Sequence, residues 1–109
     1  MHELGLAQEI VSIVTERSGG RSVRRIVLEV GRLSAVLPDA LRFCFDLATE
    51  GTAAAGATLE IVEVDGLARC RACGAGVALA RPFGRCVCNS TDLEWVRGEE
   101  LKIREMEVH

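Results

Sequence analysis

The sequence is poor in several residue types, and each shortage narrows the range of possible functions. It has no tyrosine, one tryptophan and three phenylalanines, so it offers few aromatic side chains on which nucleic-acid bases can stack. Its 13 basic residues, among which only Lys102 is a lysine, are outnumbered by 16 acidic residues. The resulting net charge of −3 disfavours a general polyanion-binding surface. We therefore expect no nucleic-acid partner.

Histidine and long apolar runs are equally scarce. The two histidines, His2 and His109, stand at the two ends of the sequence, so no interior nucleophile–histidine–acid set can form. No Gly-rich phosphate-binding loop is present, and no stretch approaches the roughly 18 uninterrupted apolar residues of a membrane helix. The acid at position 3 and the polar first turns are unlike a signal peptide. The sequence thus predicts a cytoplasmic protein that is not an enzyme and has no membrane partner.

Hydrophobic periodicity predicts two helices and several strands. Apolar residues recur at helical spacing over residues 3–17, and "SGG" ends this helix. Pro38 is placed for the first turn of a second helix, which Gly51 ends. Strands are predicted in "RRIVLEV", "ATLEIVEV", "DLEWV" and "LKIREMEV". The apolar residues of the second strand change phase near Ile61, which indicates burial on both faces or a bulge.

Four of the five cysteines lie within "CRACGAGVALARPFGRCVCNS" and have the spacing of metal ligands. Cys70 and Cys73 form a C-x-x-C-G pair, and Cys86 and Cys88 form a C-x-C pair, one residue tighter than usual. Four thiolates in two pairs make a closed tetrahedral site, which is typical of structural Zn²⁺. The alternatives are a disulfide framework or a redox C-x-x-C pair, although redox pairs normally stand at a helix N-terminus and no helix follows Cys73. Cys44 lies on the apolar face of the second helix and is expected in the core.

A change in composition after Asp65 divides the chain. Residues 68–90 contain four cysteines, four arginines and no helical period, whereas the final strand has a regular sheet pattern. We predict an α+β fold in which a small three-stranded mixed sheet with two helices carries an inserted zinc-ribbon-like β subdomain. The predicted α/β domain spans residues 1–67 and is completed by residues 100–109, and the zinc-binding subdomain spans residues 68–99.

The chain start, "MHELGLAQEI", brings a second set of metal-binding groups together. The α-amino nitrogen of Met1, the backbone nitrogen of His2 and its imidazole Nδ1 can close two fused chelate rings, and Ni²⁺ and Cu²⁺ favour such nitrogen-rich tetragonal sites. Glu3 and Asp39 carry carboxylates that complete or flank this site. The residues alone leave open a simpler interpretation, in which His2 is solvated, Asp39 is a first-turn helix acid and His109 is a frayed chain end.

Three segments together resemble the HypA/HybF family of hydrogenase nickel-incorporation proteins. They are "MHELGLAQEIV", "LEVGRLSAVLPDALRFCFD" and "CRACG … CVCNSTDLE", in the family's order and spacing over nearly the whole chain. The resemblance implies a nickel metallochaperone that delivers Ni²⁺ to the [NiFe] hydrogenase large subunit during maturation, and in some organisms serves urease. It also implies that Ni²⁺ is a transient cargo and that Zn²⁺ is a structural cofactor.

The resemblance assigns residues and partners as well. Family members bind Ni²⁺ through the terminal Met-His-Glu, here Met1, His2 and Glu3, with an acid of the second-helix region that matches Asp39. The two cysteine pairs hold zinc, and they are here Cys70, Cys73, Cys86 and Cys88. The implied partners are the nickel-handling GTPase HypB, the hydrogenase large subunit and, in some organisms, urease maturation proteins. The resemblance thus implies that the α/β domain of residues 1–67 and 100–109 binds nickel.

One departure from the family pattern affects the second cysteine pair. The usual segment resembles C-P-x-C-G-S, whereas this chain has "RCVCNS". Arg85 stands where the earlier cysteine would fall, and Cys86 is displaced by one residue, so the identity and geometry of the third ligand remain open at this point. The alternative function is a zinc-ribbon adaptor that binds protein or RNA and has no nickel role.

Overall fold

The computed structural model describes residues 3–109, in which two helices and six strands are formed. The two predicted helices and the predicted order of elements are confirmed. The elements are α1 Glu3–Arg17, β1 Val23–Gly31, α2 Pro38–Ala48, β2 Thr58–Val64, β3 Gly66–Cys70, β4 Gly76–Leu79, β5 Leu93–Arg97 and β6 Leu101–Val108. No helix within the described residues is long and apolar enough to cross a membrane.

The first sheet has three strands in the order β2-β1-β6, with β1 in the centre. The carboxyl ends of β1 and β2 meet where the Arg32 N–H donates to the Val64 carbonyl at 2.8 Å, so these strands are parallel. Strand β6 is antiparallel to β1, because the His109 N–H beyond its end donates to the Ser22 carbonyl before the start of β1, at 2.9 Å. The predicted mixed sheet and the return of the last strand are therefore confirmed.

The described chain divides into two compact units. The helical unit comprises the chain up to Leu28, Val36–Val62 and Lys102–His109. The cysteine unit comprises Glu29–Ala35 and Glu63–Leu101.

Apolar faces of α1, α2 and β1 fill the helical unit. Helical spacing places one stripe of each helix inward, and strand alternation does the same for β1. The buried side chains of these three elements include Ala7, Ile10, Val11, Val14, Ile26, Leu28, Leu41 and Phe45. Because α1 and α2 also pack against each other, the amino-terminal ends of the two helices are held at fixed positions.

Arg25 links the three strands of the first sheet within the helical unit. Its guanidinium forms ion pairs with Glu60 of β2 at 2.7 Å and with Glu105 and Glu107 of β6 at 3.3 and 2.5 Å. The hydrogen bond to Glu107, and to a smaller extent the one to Glu60, raises the pKa of Arg25 above its usual value. One cation thereby neutralises part of a cluster of three carboxylates that would otherwise repel one another.

The second sheet belongs to the cysteine unit and is antiparallel throughout, in the order β4-β3-β5. Gly66 pairs with Leu79 at one end of the β3–β4 ladder, and Cys70 pairs with Leu93 at one end of the β3–β5 ladder. The apolar cluster beneath it is small, and its members are Leu33, Ala68 and Leu79, flanked by Val77 and Leu93. A core of this size rarely holds a fold by itself, so the unit needs a further cross-link.

Three glycines of the cysteine unit allow its chain segments to approach at backbone distance. A Cβ atom added to Gly31 would lie 1.9 Å from the Gly98 carbonyl oxygen, and one added to Gly98 would lie 2.4 Å from the Gly66 Cα atom. Gly98 also has a φ of 120°, a backbone conformation that residues other than glycine rarely adopt. The Leu33 N–H donates to the Gly98 carbonyl at 2.9 Å and fixes this approach.

Replacement of Arg25 by alanine is expected to lower the melting temperature of the protein by several degrees. The three carboxylates would lose their shared counter-ion, and β1 would lose its side-chain links to both outer strands. The matched control is Arg24→Ala at the exposed neighbouring position. Equal melting temperatures for the two variants at low salt would contradict this role for Arg25.

Gly31→Ala is expected to destabilise the cysteine unit by at least about 2 kcal/mol, because the new methyl group overlaps the Gly98 carbonyl. Gly76→Ala serves as the control, since a Cβ atom there would meet only Leu67 Cδ1 at an ordinary 3.8 Å. Thermal and urea unfolding of both variants measure the difference. A Gly31→Ala protein as stable as Gly76→Ala would show that the close approach is not required.

Candidate metal centres

The first cysteine pair lies on a tight turn that follows β3. The Gly74 N–H donates to the Cys70 carbonyl at 2.8 Å, and the Cys70 N–H donates to the Ala75 carbonyl at 2.9 Å. Gly74 has a φ of 79°, the left-handed conformation that turns the chain back over the sulfur atoms. Cys70 is thereby buried and Cys73 remains exposed.

The second cysteine pair lies on a similar turn that is one residue shorter. The Asn89 N–H donates to the Cys86 carbonyl at 2.8 Å, and the Cys86 N–H donates to the Ser90 carbonyl at 2.9 Å. Asn89, with a φ of 74°, takes the left-handed position that Gly74 occupies in the first turn. Among the described residues it is the one non-glycine with positive φ, and asparagine tolerates that conformation better than most residues. Both hydrogen bonds of the second turn therefore span one residue fewer than those of the first. The shorter C-x-C pair still keeps its two sulfur atoms on the same side of the turn.

The four sulfur atoms of Cys70, Cys73, Cys86 and Cys88 converge, and all lie within 4.8 Å of one another. Sulfur atoms of the two turns approach each other to 3.6 Å for Cys70–Cys88 and 3.5 Å for Cys73–Cys86. In a tetrahedral site with Zn–S distances of about 2.3 Å, sulfur atoms lie about 3.8 Å apart. The donor set and its spacing therefore fit a closed structural zinc site. Within residues 3–109 no other group of histidine, cysteine or acidic side chains brings three or more ligand atoms close enough to share one metal ion.

The thiols of this cluster differ in acidity. The backbone N–H of Cys73 donates to the Cys70 sulfur and, against the effect of burial, lowers the pKa of Cys70 to about 6. At Cys73 the Ala75 N–H lowers the pKa, but hydrogen bonds with Cys86 and Cys88 and burial outweigh it and raise the pKa to about 11. Cys70 is therefore the more acidic of the two thiols, and Cys73 has to release a proton when it becomes a ligand.

Polar residues that the spacing of the cysteines did not single out support the turns. The Arg71 side chain pairs with Asp92 at 3.0 Å, and the Arg71 N–H donates to the Asp92 carbonyl at 2.9 Å. Arg85, at the position of the displaced cysteine, donates to the Asn89 carbonyl at 2.8 Å. The Asp92 N–H in turn donates to the Ser90 hydroxyl at 3.1 Å. Local sequence gives no sign of the Arg71–Asp92 contact, because the two residues are far apart in the chain.

The predicted nickel residues fall partly outside the described part of the chain. Met1 and His2 lie outside the described residues. Glu3 is the first residue of α1, and its carboxylate accepts the N–H of Leu37 at 3.2 Å. Leu37 is the N-cap residue of α2, and Asp39 lies exposed in the first turn of that helix. The structure thus brings Glu3 to the start of the helix that carries Asp39.

Cys73→Ser is expected to reduce bound zinc from about one ion per chain to a small fraction, because three thiolates leave the closed site incomplete. Cys44→Ser is the control, since Cys44 is a half-buried residue of α2 and does not belong to the cluster. Elemental analysis after dialysis and amide exchange over residues 68–90 report the two effects. Full zinc content and unchanged exchange in Cys73→Ser would contradict a four-thiolate site.

Comparison with known proteins places this geometry in a family. Residues 1–108 match the family model described as "Hydrogenase/urease nickel incorporation, metallochaperone, hypA". Hydrogenase maturation factor HypA of Trichormus variabilis is 57% identical over 108 residues, which cover 99% of this chain and 96% of that protein. The protein of the same name from Geotalea uraniireducens is 43% identical over 109 residues and covers 99% of each chain.

A solved structure agrees on the fold. The solution structure of the Ni metallochaperone HypA from Helicobacter pylori superposes with a TM-score of 0.68 at 20% identity, over 99% of this chain and 97% of that one. The predicted fold class, with its zinc-ribbon-like subdomain, is confirmed. The family match also supports the nickel role over the adaptor without one. With a match that runs from the chain start through both cysteine pairs, the chain belongs to the HypA family of nickel-incorporation metallochaperones.

Proposed function

We propose that this metallochaperone binds Ni²⁺ at its amino terminus, through Met1, His2, Glu3 and Asp39. The observation that supports this most directly is the hydrogen bond from the Leu37 N–H to the Glu3 carboxylate. It joins the first residue of α1 to the N-cap residue of α2, the helix whose first turn carries Asp39. Nitrogen donors with flanking carboxylates suit Ni²⁺.

The two proposed sites keep the two metals apart through donor chemistry. Four thiolates, supplied by Cys70, Cys73, Cys86 and Cys88, complete the coordination of Zn²⁺ and leave no position open for exchange. The proposed amino-terminal site has nitrogen and carboxylate donors in place of four thiolates, and these ligands can be exchanged one at a time. A donor that must release its ion gains from such a site, because transfer then proceeds by stepwise ligand exchange with an acceptor.

The proposed transfer route follows from this chemistry and from the family. The chain receives Ni²⁺ from the GTPase HypB and passes it to the [NiFe] hydrogenase large subunit, and it serves urease maturation proteins where an organism has them. The work is binding and transfer, without a catalysed reaction of its own. The zinc site requires reduced thiols, which are typical of the cytoplasm, and this supports the proposal of a cytoplasmic protein. The nickel-binding domain spans residues 1–67 with 100–109, and the zinc-binding subdomain spans residues 68–99.

Nickel titration of tag-free, zinc-loaded protein tests the amino-terminal site. We expect His2→Ala, or an extension of two residues before Met1, to weaken Ni²⁺ binding at least about tenfold, which is about 1.4 kcal/mol. His109→Ala is the matched control, because it removes the one other histidine. Calorimetry gives the affinity, and elemental analysis confirms that zinc stays constant. Equal affinities for all four proteins would contradict the proposed site.

Glu3→Gln separates the two roles of Glu3. The amide oxygen of glutamine can still accept the Leu37 N–H, so the junction of the two helices is kept while the negative charge is lost. We expect weaker Ni²⁺ binding with an unchanged melting temperature, and the same result for Asp39→Asn. If both variants bind Ni²⁺ as the parent does, the carboxylates are not part of the site.

A further inference from the structure

The cysteine unit has a pocket of about 420 Å³ between β5 and the loop that precedes the second cysteine pair. Leu93 and Trp95 are two residues apart on β5, so strand alternation turns them to the same face. Phe83 and Arg85 line the opposite wall. The volume lies within the range of pockets that bind ligands in proteins.

Large apolar side chains are exposed at this pocket. Phe83 is 70% exposed and Trp95 is 38% exposed. Phe83 and Trp95 both line the pocket, so its apolar walls are open to solvent. Apolar surface of this kind, with polar residues at its rim, marks a site of interaction.

Arg85 is the charged residue among those that line the pocket, and the nearby acid Asp92 is paired with Arg71. Residues 68–91 contain four arginines and no aspartate or glutamate. The Arg81 guanidinium carbon lies 5.9 Å from the centre of the Phe83 ring, and Arg85 donates to the Asn89 carbonyl. Within residues 3–109 neither Arg81 nor Arg85 forms an ion pair with a carboxylate. Since a guanidinium has five N–H donors, Arg85 keeps several for a ligand.

The strand beside the pocket stands at the edge of its sheet. In the order β4-β3-β5, β5 pairs with β3 on one side, and no strand of the described chain pairs with the other side. An edge strand offers backbone N–H and carbonyl groups to an added strand. When an extended peptide adds to such an edge, every second side chain enters the adjacent pocket.

We propose that this pocket and the outer edge of β5 bind an extended segment of a partner protein, in which an acidic residue stands two positions from a large aliphatic residue. The aliphatic side chain packs between Phe83 and Trp95, and the carboxylate bonds to the Arg85 guanidinium, which matches carboxylates in a two-pronged geometry. The backbone of the segment pairs with β5. This docking site belongs to the cysteine unit and does not depend on the proposed nickel ligands.

Trp95 provides the measurement, since it is the single tryptophan in a chain without tyrosine. The probe is the peptide Ac-TLTDTV-NH2, in which the leucine and the aspartate share one face of a strand. Ac-TLTKTV-NH2 is the charge-reversed control. We expect a saturable change in Trp95 fluorescence with the first peptide and at least tenfold weaker binding of the second.

Substitutions in the pocket identify the contacts. We expect Arg85→Glu to reverse the preference between the two peptides, and Arg17→Glu in α1 to leave it unchanged. Because Arg85 also bonds to the Asn89 carbonyl, Phe83→Ser serves as a second variant. Phe83 is mostly exposed, so its loss spares the fold, and we expect at least fivefold weaker binding of the aspartate peptide. Zinc content and melting temperature are measured for every variant.

Several outcomes would overturn the docking proposal. Two of them are equal affinities for the two peptides and the absence of a saturable signal up to millimolar peptide. A third is an equal Trp95 signal with oligothymidylate, which would indicate a nucleic-acid surface. A Trp95 signal that changes with protein concentration alone would assign the edge of β5 to a second copy of this chain. Each of these outcomes is independent of the nickel titrations, so the two proposals fail separately.

Discussion

The convergence of four cysteine sulfur atoms is the constraint on which the cysteine unit depends. The apolar cluster of that unit contains three buried side chains, which is too few to fix three short strands and two long loops. The sulfur–sulfur approaches Cys70–Cys88 and Cys73–Cys86 join one turn to the other. A zinc ion held there closes the loop between β3 and the second turn. The pocket beside β5 is lined in part by the residues that directly precede Cys86. Its shape therefore depends on the position at which zinc holds that cysteine.

Much of the helical unit could be predicted from local sequence, and much of the cysteine unit could not. The spacing of Ala7, Val11 and Val14 is enough to predict α1, and Pro38 marks the start of α2. Strands β3 and β4 were not predicted individually, because "GLARC" and "GVAL" are too short and too rich in small residues to show alternation. Close approaches such as that of Gly31 to Gly98 join distant segments, and no local pattern reveals them.

At the metal centres, too, local sequence identifies the residues but not the contacts that join distant segments. The four cysteines could be identified from their spacing, but the C-x-C pair left their geometry open, and only the conformation of Asn89 shows how a shorter turn keeps both sulfur atoms in place. At the amino terminus, the donor chemistry of the chain start and the family resemblance named Glu3 and Asp39 as parts of one site, without showing how the two helices meet. Their connection runs through the backbone of Leu37, a contact between two helices that sequence reasoning missed. Periodicity predicts which face of a helix is buried, but it does not predict which helix ends meet.

The central claim is that one chain holds two metals by different donors, with thiolates for zinc and amino-terminal nitrogen and oxygen for nickel. X-ray absorption at the nickel and zinc edges of tag-free protein loaded with one equivalent of each metal tests this claim most directly. The predicted spectra show four sulfur neighbours at about 2.3 Å around zinc, and nitrogen or oxygen neighbours without sulfur around nickel. Sulfur in the nickel shell, or nitrogen and oxygen in place of sulfur around zinc, would contradict it.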